Sequence, residues 1–230
     1  MTVERQDGGI FETIHLDQSV TYASSVEANE IDVQSGSVVI EGRLNAPYLS
    51  NAGGLEVTST LETNELANKK EAHLKVADNV VVQTVNNAGT LELGHHFKAE
   101  TIESTGKLVA AGTIEATSVR LSGFIQLHDI RAERLDITVT HNSSADYLAA
   151  SDIRIKAQRE ALIFKDDDHS LKVNEIDGGE VYLENVIAEL VRGDRVTIGP
   201  NCTIKVVEYT EDYKLDEQSD VLELGKITRD

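Results

Sequence analysis

"GTLELGHHFKAETIESTGKLVAAGTIEATSVRLS", residues 89–122, writes one seventeen-residue line twice, matched in spacing rather than in identity. From Gly89 the apolar positions are Leu91, Leu93, Phe97, Ala99 and Ile102; from Gly106 they are Leu108, Ala110, Ile114, Ala116 and Val119. Both lines read +2, +4, +8, +10, +13. Upstream, Gly36 is followed by Val38, Ile40, Leu44, Ala46 and Leu49, and Gly53 by Leu55, Val57, Leu61 and Leu66, with Thr63 in the remaining slot. The line from Glu71 lacks the Gly and gives Leu74, Val76, Val80, Val82 and Val85; the line from Gly123 is tightened to Ile125, Leu127, Ile130, Ala132 and Leu135. Val20, Tyr22, Val26, Ala28 and Ile31 add a copy before them, and Val196, Ile198, Cys202, Ile204 and Val207 one near the other end.

Self-similarity at a short fixed period marks a repeat architecture. Apolar pairs two apart share one face of a strand, and the gaps of three to four between pairs leave room for corners. On a 3.6-residue helix the same positions would scatter around the axis, and the Val, Ile and Thr content favours extended chain. The reading is all-β: a single parallel β-helix, or β-solenoid, of about 17–18 residues per rung. Each rung folds into three short strands around an apolar interior, and rungs stack at ~4.8 Å with every strand paired in parallel to its copies. One rung cannot stand alone, because the entropy of ordering its backbone outweighs what its few buried side chains contribute; neighbours must cover it. The Gly at the line starts is expected to supply positive φ at a corner.

The lines divide the chain into a lead-in over 1–12, a solenoid over 13–208 with less regular rungs and loops at about 140–175, and an acidic tail over 209–230. The pairs Ile153/Ile155, Leu162/Phe164 and Leu171/Val173 are expected to be strands of the irregular part. Pro47 and Pro200 are expected at corners, since Pro removes a ladder donor. With 40 acidic against 21 basic residues and a net charge of −19, nucleic acid and anionic membrane are poor partners. No basic start followed by an apolar run opens the chain and no stretch approaches 18 apolar residues, so the expectation is a cytoplasmic protein without direct membrane insertion, in which the sequons at Asn142 and Asn201 are idle.

The candidate chemistry is sparse. His95 and His96 are strand neighbours that point to opposite faces and read as a corner, not a metal site. The "DDDH" at 166–169 lacks the spaced carboxylates and Gly of a calcium loop and reads as a solvated turn. Arg192-Gly193-Asp194 reads as a corner, and Cys202 as a small core residue. "VTIGPNCTI", with Ile198, Gly199 and Ile204, resembles a hexapeptide of the left-handed β-helix acyltransferases, but the Ile-Gly pair occurs once and no His stands in a comparable setting. The expectation is no catalytic residue, no cofactor and no metal. The apolar ends of the stack are the candidate polymer interface: Val20, Tyr22, Val26 and Ile31 at one end, Val196, Ile198, Cys202, Ile204 and Val207 at the other.

With the rungs laid out, the seventeen-to-eighteen-residue period, Gly-led lines such as "GKLVAAGTIEATSVRLS" and the closing "VRGDRVTIGPNCTIKVVEY" resemble the bactofilins, polymer-forming bacterial cytoskeletal proteins, in their longer Gram-positive form. The resemblance covers roughly residues 20–208. It implies a right-handed β-helix with a triangular core, end-to-end self-assembly into filaments without nucleotide, alone or with a paralogous bactofilin, and roles in cell shape, polarity or motility. The chain departs from many members in being nearly all solenoid, without their Pro-rich tails or short membrane-targeting segment. Two other readings stand beside it: a monomeric scaffold binding proteins through its flat faces, and a hexapeptide-like acyltransferase.

Overall fold

A computed structural model describes residues 4–158 and 169–228. Every element among them is a strand, and the strands pair in parallel; the fold is an all-β parallel β-solenoid. The chain divides into two compact units, 1–116 and 117–230.

The first unit carries β1 (Glu4–Gln6), β2 (Gly9–Leu16), β3 (Val20–Tyr22), β4 (Val26–Val33), β5 (Ser37–Ile40), β6 (Leu44–Asn45), β7 (Tyr48–Asn51), β8 (Gly54–Val57), β9 (Leu61–Asn68), β10 (His73–Val76), β11 (Val80–Asn87), β12 (Thr90–Leu93) and β13 (Phe97–Ser104). β14 (Lys107–Leu121) begins in this unit and ends in the next. The +2 slot becomes a column of stacked side chains, Val20, Val38, Leu55, Leu74, Leu91 and Leu108, each the register partner of the next. The +13 slot does the same with Ile31, Leu49, Leu66, Val85 and Ile102. A period-2 strand buries alternate residues, so in-register parallel stacking places each apolar side chain on its own kind and keeps the interior dry. Thr63 fills its slot with its hydroxyl satisfied, the oxygen lying 3.2 Å from the Pro47 carbonyl and 3.1 Å from that of Glu65. Pro47 sits between β6 and β7, where no ladder donor is needed.

The glycines work differently from the expectation. Gly36 has φ of 79°, but the later line starts Gly53, Gly89 and Gly106 do not show positive φ. Their constraint is the rung behind: a Cβ on Gly106 would stand 2.1 Å from the Gly89 carbonyl oxygen, and one on Gly53 2.8 Å from that of Gly36. The line that lacks a Gly takes its left-handed turn on Glu71, at φ 67°.

The second unit carries β15 (Ile125–Val139), β16 (Ser143–Ala157), β17 (Leu171–Leu183), β18 (Val186–Ile198), β19 (Thr203–Leu215) and β20 (Asp220–Lys226). Its columns are Leu127, Ala145, Val173, Ala188, Ile204 and Val221, and Ile130, Leu148, Ile176, Val191, Val207 and Leu224. Ile153, Ile155, Leu171 and Val173 stand in strands as expected, whereas Leu162 and Phe164 lie outside the described residues. Rung length varies here: β17 and β18 are in register at Leu171↔Val186, fifteen residues apart, and β18 and β19 shift register between Gly193 and Arg195. Pro200 lies between β18 and β19.

Candidate assembly edges

The residues expected to form the polymer interface are interior. Val20, Tyr22, Val26 and Ile31 are buried, and β1 and β2 pair onto their strands from outside: Glu4↔Val20, Gln6↔Tyr22, Gly9↔Val26 and Ile14↔Ile31. Val196, Ile198, Cys202, Ile204 and Val207 are also buried, covered by Tyr213, Leu215, Val221 and Leu224 in β19 and β20. The lead-in over 1–12 and the acidic tail over 209–230 therefore both contribute rungs over the described residues. The signal was in the sequence. Phe11, Ile14 and Leu16 stand seventeen residues before Ala28, Ile31 and Val33, while Tyr213, Leu215, Val221 and Leu224 stand seventeen after Val196, Ile198, Ile204 and Val207. Acidic outward positions and a polar first pair, Glu4 and Gln6, hid these rungs.

The true edges follow from those two strand sets. Among the described residues of the first unit β2 pairs with β4 alone; its Ile14 is buried, Phe11 is half-buried and meets the Tyr22 ring edge-on at 6.0 Å between centroids, and Ile10 is 81% exposed. Among the described residues of the second unit β20 pairs with β19 alone, and Leu222 and Leu224 are 75% and 52% exposed, beside Leu215 at 46%. An edge of this kind presents unpaired amides and carbonyls next to apolar surface, the combination that templates another strand.

Charged and aromatic groups frame both edges. Arg5 forms a two-pronged pair with Glu41 at 2.8 and 2.7 Å, and those hydrogen bonds hold the Glu41 carboxyl below the usual carboxylate range. Burial raises the Tyr22 phenol, and raises that of Tyr213 with a further push from Tyr209, whose ring stacks on it at 5.6 Å. Lys226 lies 5.9 Å over the Tyr209 ring.

His96 lies at the corner between β12 and β13, with Nε2 3.6 Å from Glu115. Arg192 bridges Glu175 and Glu208 at 2.7 and 2.6 Å, and Asp194 accepts the Thr210 hydroxyl at 2.8 Å, so Arg192-Gly193-Asp194 is held within β18 rather than at a corner. Asp166, Asp167 and Asp168 lie outside the described residues, and the His169 ring stacks on that of His141 at 6.0 Å. Burial pushes the Cys202 thiol up to about 11. Among the described residues no three His, Cys, Asp or Glu converge as metal ligands, and no helix is long and apolar enough to cross a membrane.

The edges and stacked columns define a protein of the parallel β-solenoid class. Two curated proteins of Bacillus subtilis (strain 168) share part of the sequence. The chain is 38% identical to the uncharacterized protein YhbF over 73 residues, 32% of this chain and 31% of that protein. It is 46% identical to the uncharacterized protein YhbE over 46 residues, 20% of this chain and 19% of that protein. The matches thus span less than a third of either relative's length. No protein-family profile matches the chain, and no solved structure does.

Proposed function

We propose that this chain is a non-catalytic structural protein of bactofilin type that self-assembles through its open solenoid edges into filaments without nucleotide. The observation that supports this most is the pair of uncovered edges: β2 with Ile10 and Phe11, and β20 with Leu222 and Leu224. Each offers apolar side chains and unpaired backbone groups that a second chain's edge would satisfy. Two relatives in one organism support a paralogous chain as partner beside self-association. In this reading the protein works in the cytoplasm, in cell shape, polarity or motility, without cofactor and without nucleic acid.

Negative-stain electron microscopy and sedimentation velocity of the purified chain at 0.15 M salt without nucleotide test the proposal. Filaments are expected for the parent chain. Replacing Leu222 with Glu places charge on the exposed edge and is expected to shorten or abolish them while leaving the melting temperature nearly unchanged. A chain that stays monomeric at high concentration, alone and with a relative of its own kind, would replace this reading with the scaffold.

A further inference from the structure

The second unit contains a discontinuity that assembly does not use. β16 runs to Ala157, but its pairing with β17 ends at Ile155↔Leu183, so among the described residues Lys156 and Ala157 are paired on the β15 side alone, to Thr138 and Val139. The Ala157 amide donates to Glu184 Oε2 at 3.0 Å, and the Tyr182 hydroxyl donates to Glu184 Oε1 at 2.5 Å. Glu184 is 2% exposed, and among the described residues no other charged residue is as buried. An acidic side chain thus fills in for the missing strand and fixes the Tyr182 ring.

Beside the step is a cavity of about 640 Å³ lined, among the described residues, by Thr138, Arg154, Lys156, Ala157, Gln158, Tyr182 and Glu184. Its donors are the Arg154 guanidinium, the Lys156 ammonium, the Gln158 amide and the Thr138 hydroxyl, while the Glu184 oxygens accept from Ala157 and Tyr182. Arg154 shares Asp152 with Arg134, at 3.3 and 3.8 Å, and therefore keeps donors to spare. The Lys156 ammonium lies 6.0 Å over the Tyr182 ring, and no carboxylate among the described residues stands within ion-pair distance of it. In a chain of net charge −19, two cations beside one concavity are a local feature rather than a general field.

We propose that this cavity binds the phosphate or pyrophosphate group of a small molecule. A tetrahedral oxyanion has acceptors in several directions, which suits a fork-shaped guanidinium, a rotatable ammonium and the neutral donors around them. The volume leaves room for more than the phosphate. A polynucleotide is a poor occupant, because its further phosphates would meet the acidic surface. This inference rests on the second unit alone and stands apart from filament formation.

Inorganic pyrophosphate titrated calorimetrically into the full chain is the direct test. Saturable binding is expected, weakened at least tenfold in Arg154→Gln and in Lys156→Gln, with circular dichroism and melting temperature close to the parent. Lys205→Gln, which removes a distant exposed cation paired with Glu189, is expected to leave binding unchanged. Phosphatidylcholine vesicles with and without phosphatidic acid distinguish the source of the group. Co-sedimentation with the phosphatidic acid vesicles assigns a lipid headgroup; pyrophosphate binding without it assigns a free ligand. No saturable binding at millimolar pyrophosphate, or equal weakening by Lys205→Gln, overturns the proposal.

Discussion

Asn68 donates through its side-chain amide to the Asn87 side-chain oxygen at 2.8 Å and to the Thr90 carbonyl at 2.9 Å. The same link runs from Asn51 to Asn68 and from Asn87 to the Ser104 hydroxyl, each at 2.8 Å, so the column that begins with Leu16 and Val33 turns into a buried polar ladder. Every member is satisfied, and an unpaired one would carry its desolvation penalty. Asn68→Ala removes a donor from Asn87 and an acceptor from Asn51. We expect a loss of about 2 kcal/mol in urea unfolding, and a larger loss for Asn68→Asp, which also buries a charge.

Ile114 is fully buried, and Glu115 beside it is exposed and 3.6 Å from His96. Ile114→Asp buries an unpaired charge and is expected to unfold the first unit, whereas Glu115→Lys should stay within about 0.5 kcal/mol. Comparable falls in melting temperature for the two would show that the faces have been misassigned.

Ile204→Glu and Leu222→Glu separate stability from assembly. Ile204 is interior with strands paired on both sides, so a Glu there should melt the second unit; Leu222 is open to solvent, so a Glu there should leave the melt intact and act on filament length alone. Circular dichroism melts and sedimentation on the same samples read both.

Filament length should rise with salt. Chains of net charge −19 repel one another, and the screening length falls from ~30 Å at 0.01 M to ~8 Å at 0.15 M. Light scattering across that range should increase without added nucleotide; a steady decrease would point to ion pairs, not apolar edges, as the contact.

Cys202 titrates with stability. Burial raises its thiol from the usual value near 9 to about 11, so the folded chain retains a proton that the unfolded chain releases between those values. The contribution is fully present below pH 9 and is lost as pH rises toward 11, on the order of 2 kcal/mol in total. The melting temperature of the parent should fall more steeply than that of Cys202→Ala between pH 9 and 11, and alkylation at pH 8 should be slow until denaturant is added.

The period alone determined the fold class. Leu91, Phe97 and Ile102 recur as Leu108, Ile114 and Val119 because parallel in-register stacking demands an apolar side chain at the same place in each rung, and that demand is written locally. Where the stack stops was equally periodic, in Phe11 and Ile14 and in Val221 and Leu224, but it was masked by the polar residues that an edge rung, covered on one side only, can carry outward. The asparagine ladder, the close approach behind Gly106 and the step at Ala157 were decided only in three dimensions. Each depends on which atoms of the adjacent rung face it, and those atoms lie seventeen to twenty-seven residues away in the chain, at distances set by rung lengths that the sequence spacing does not state.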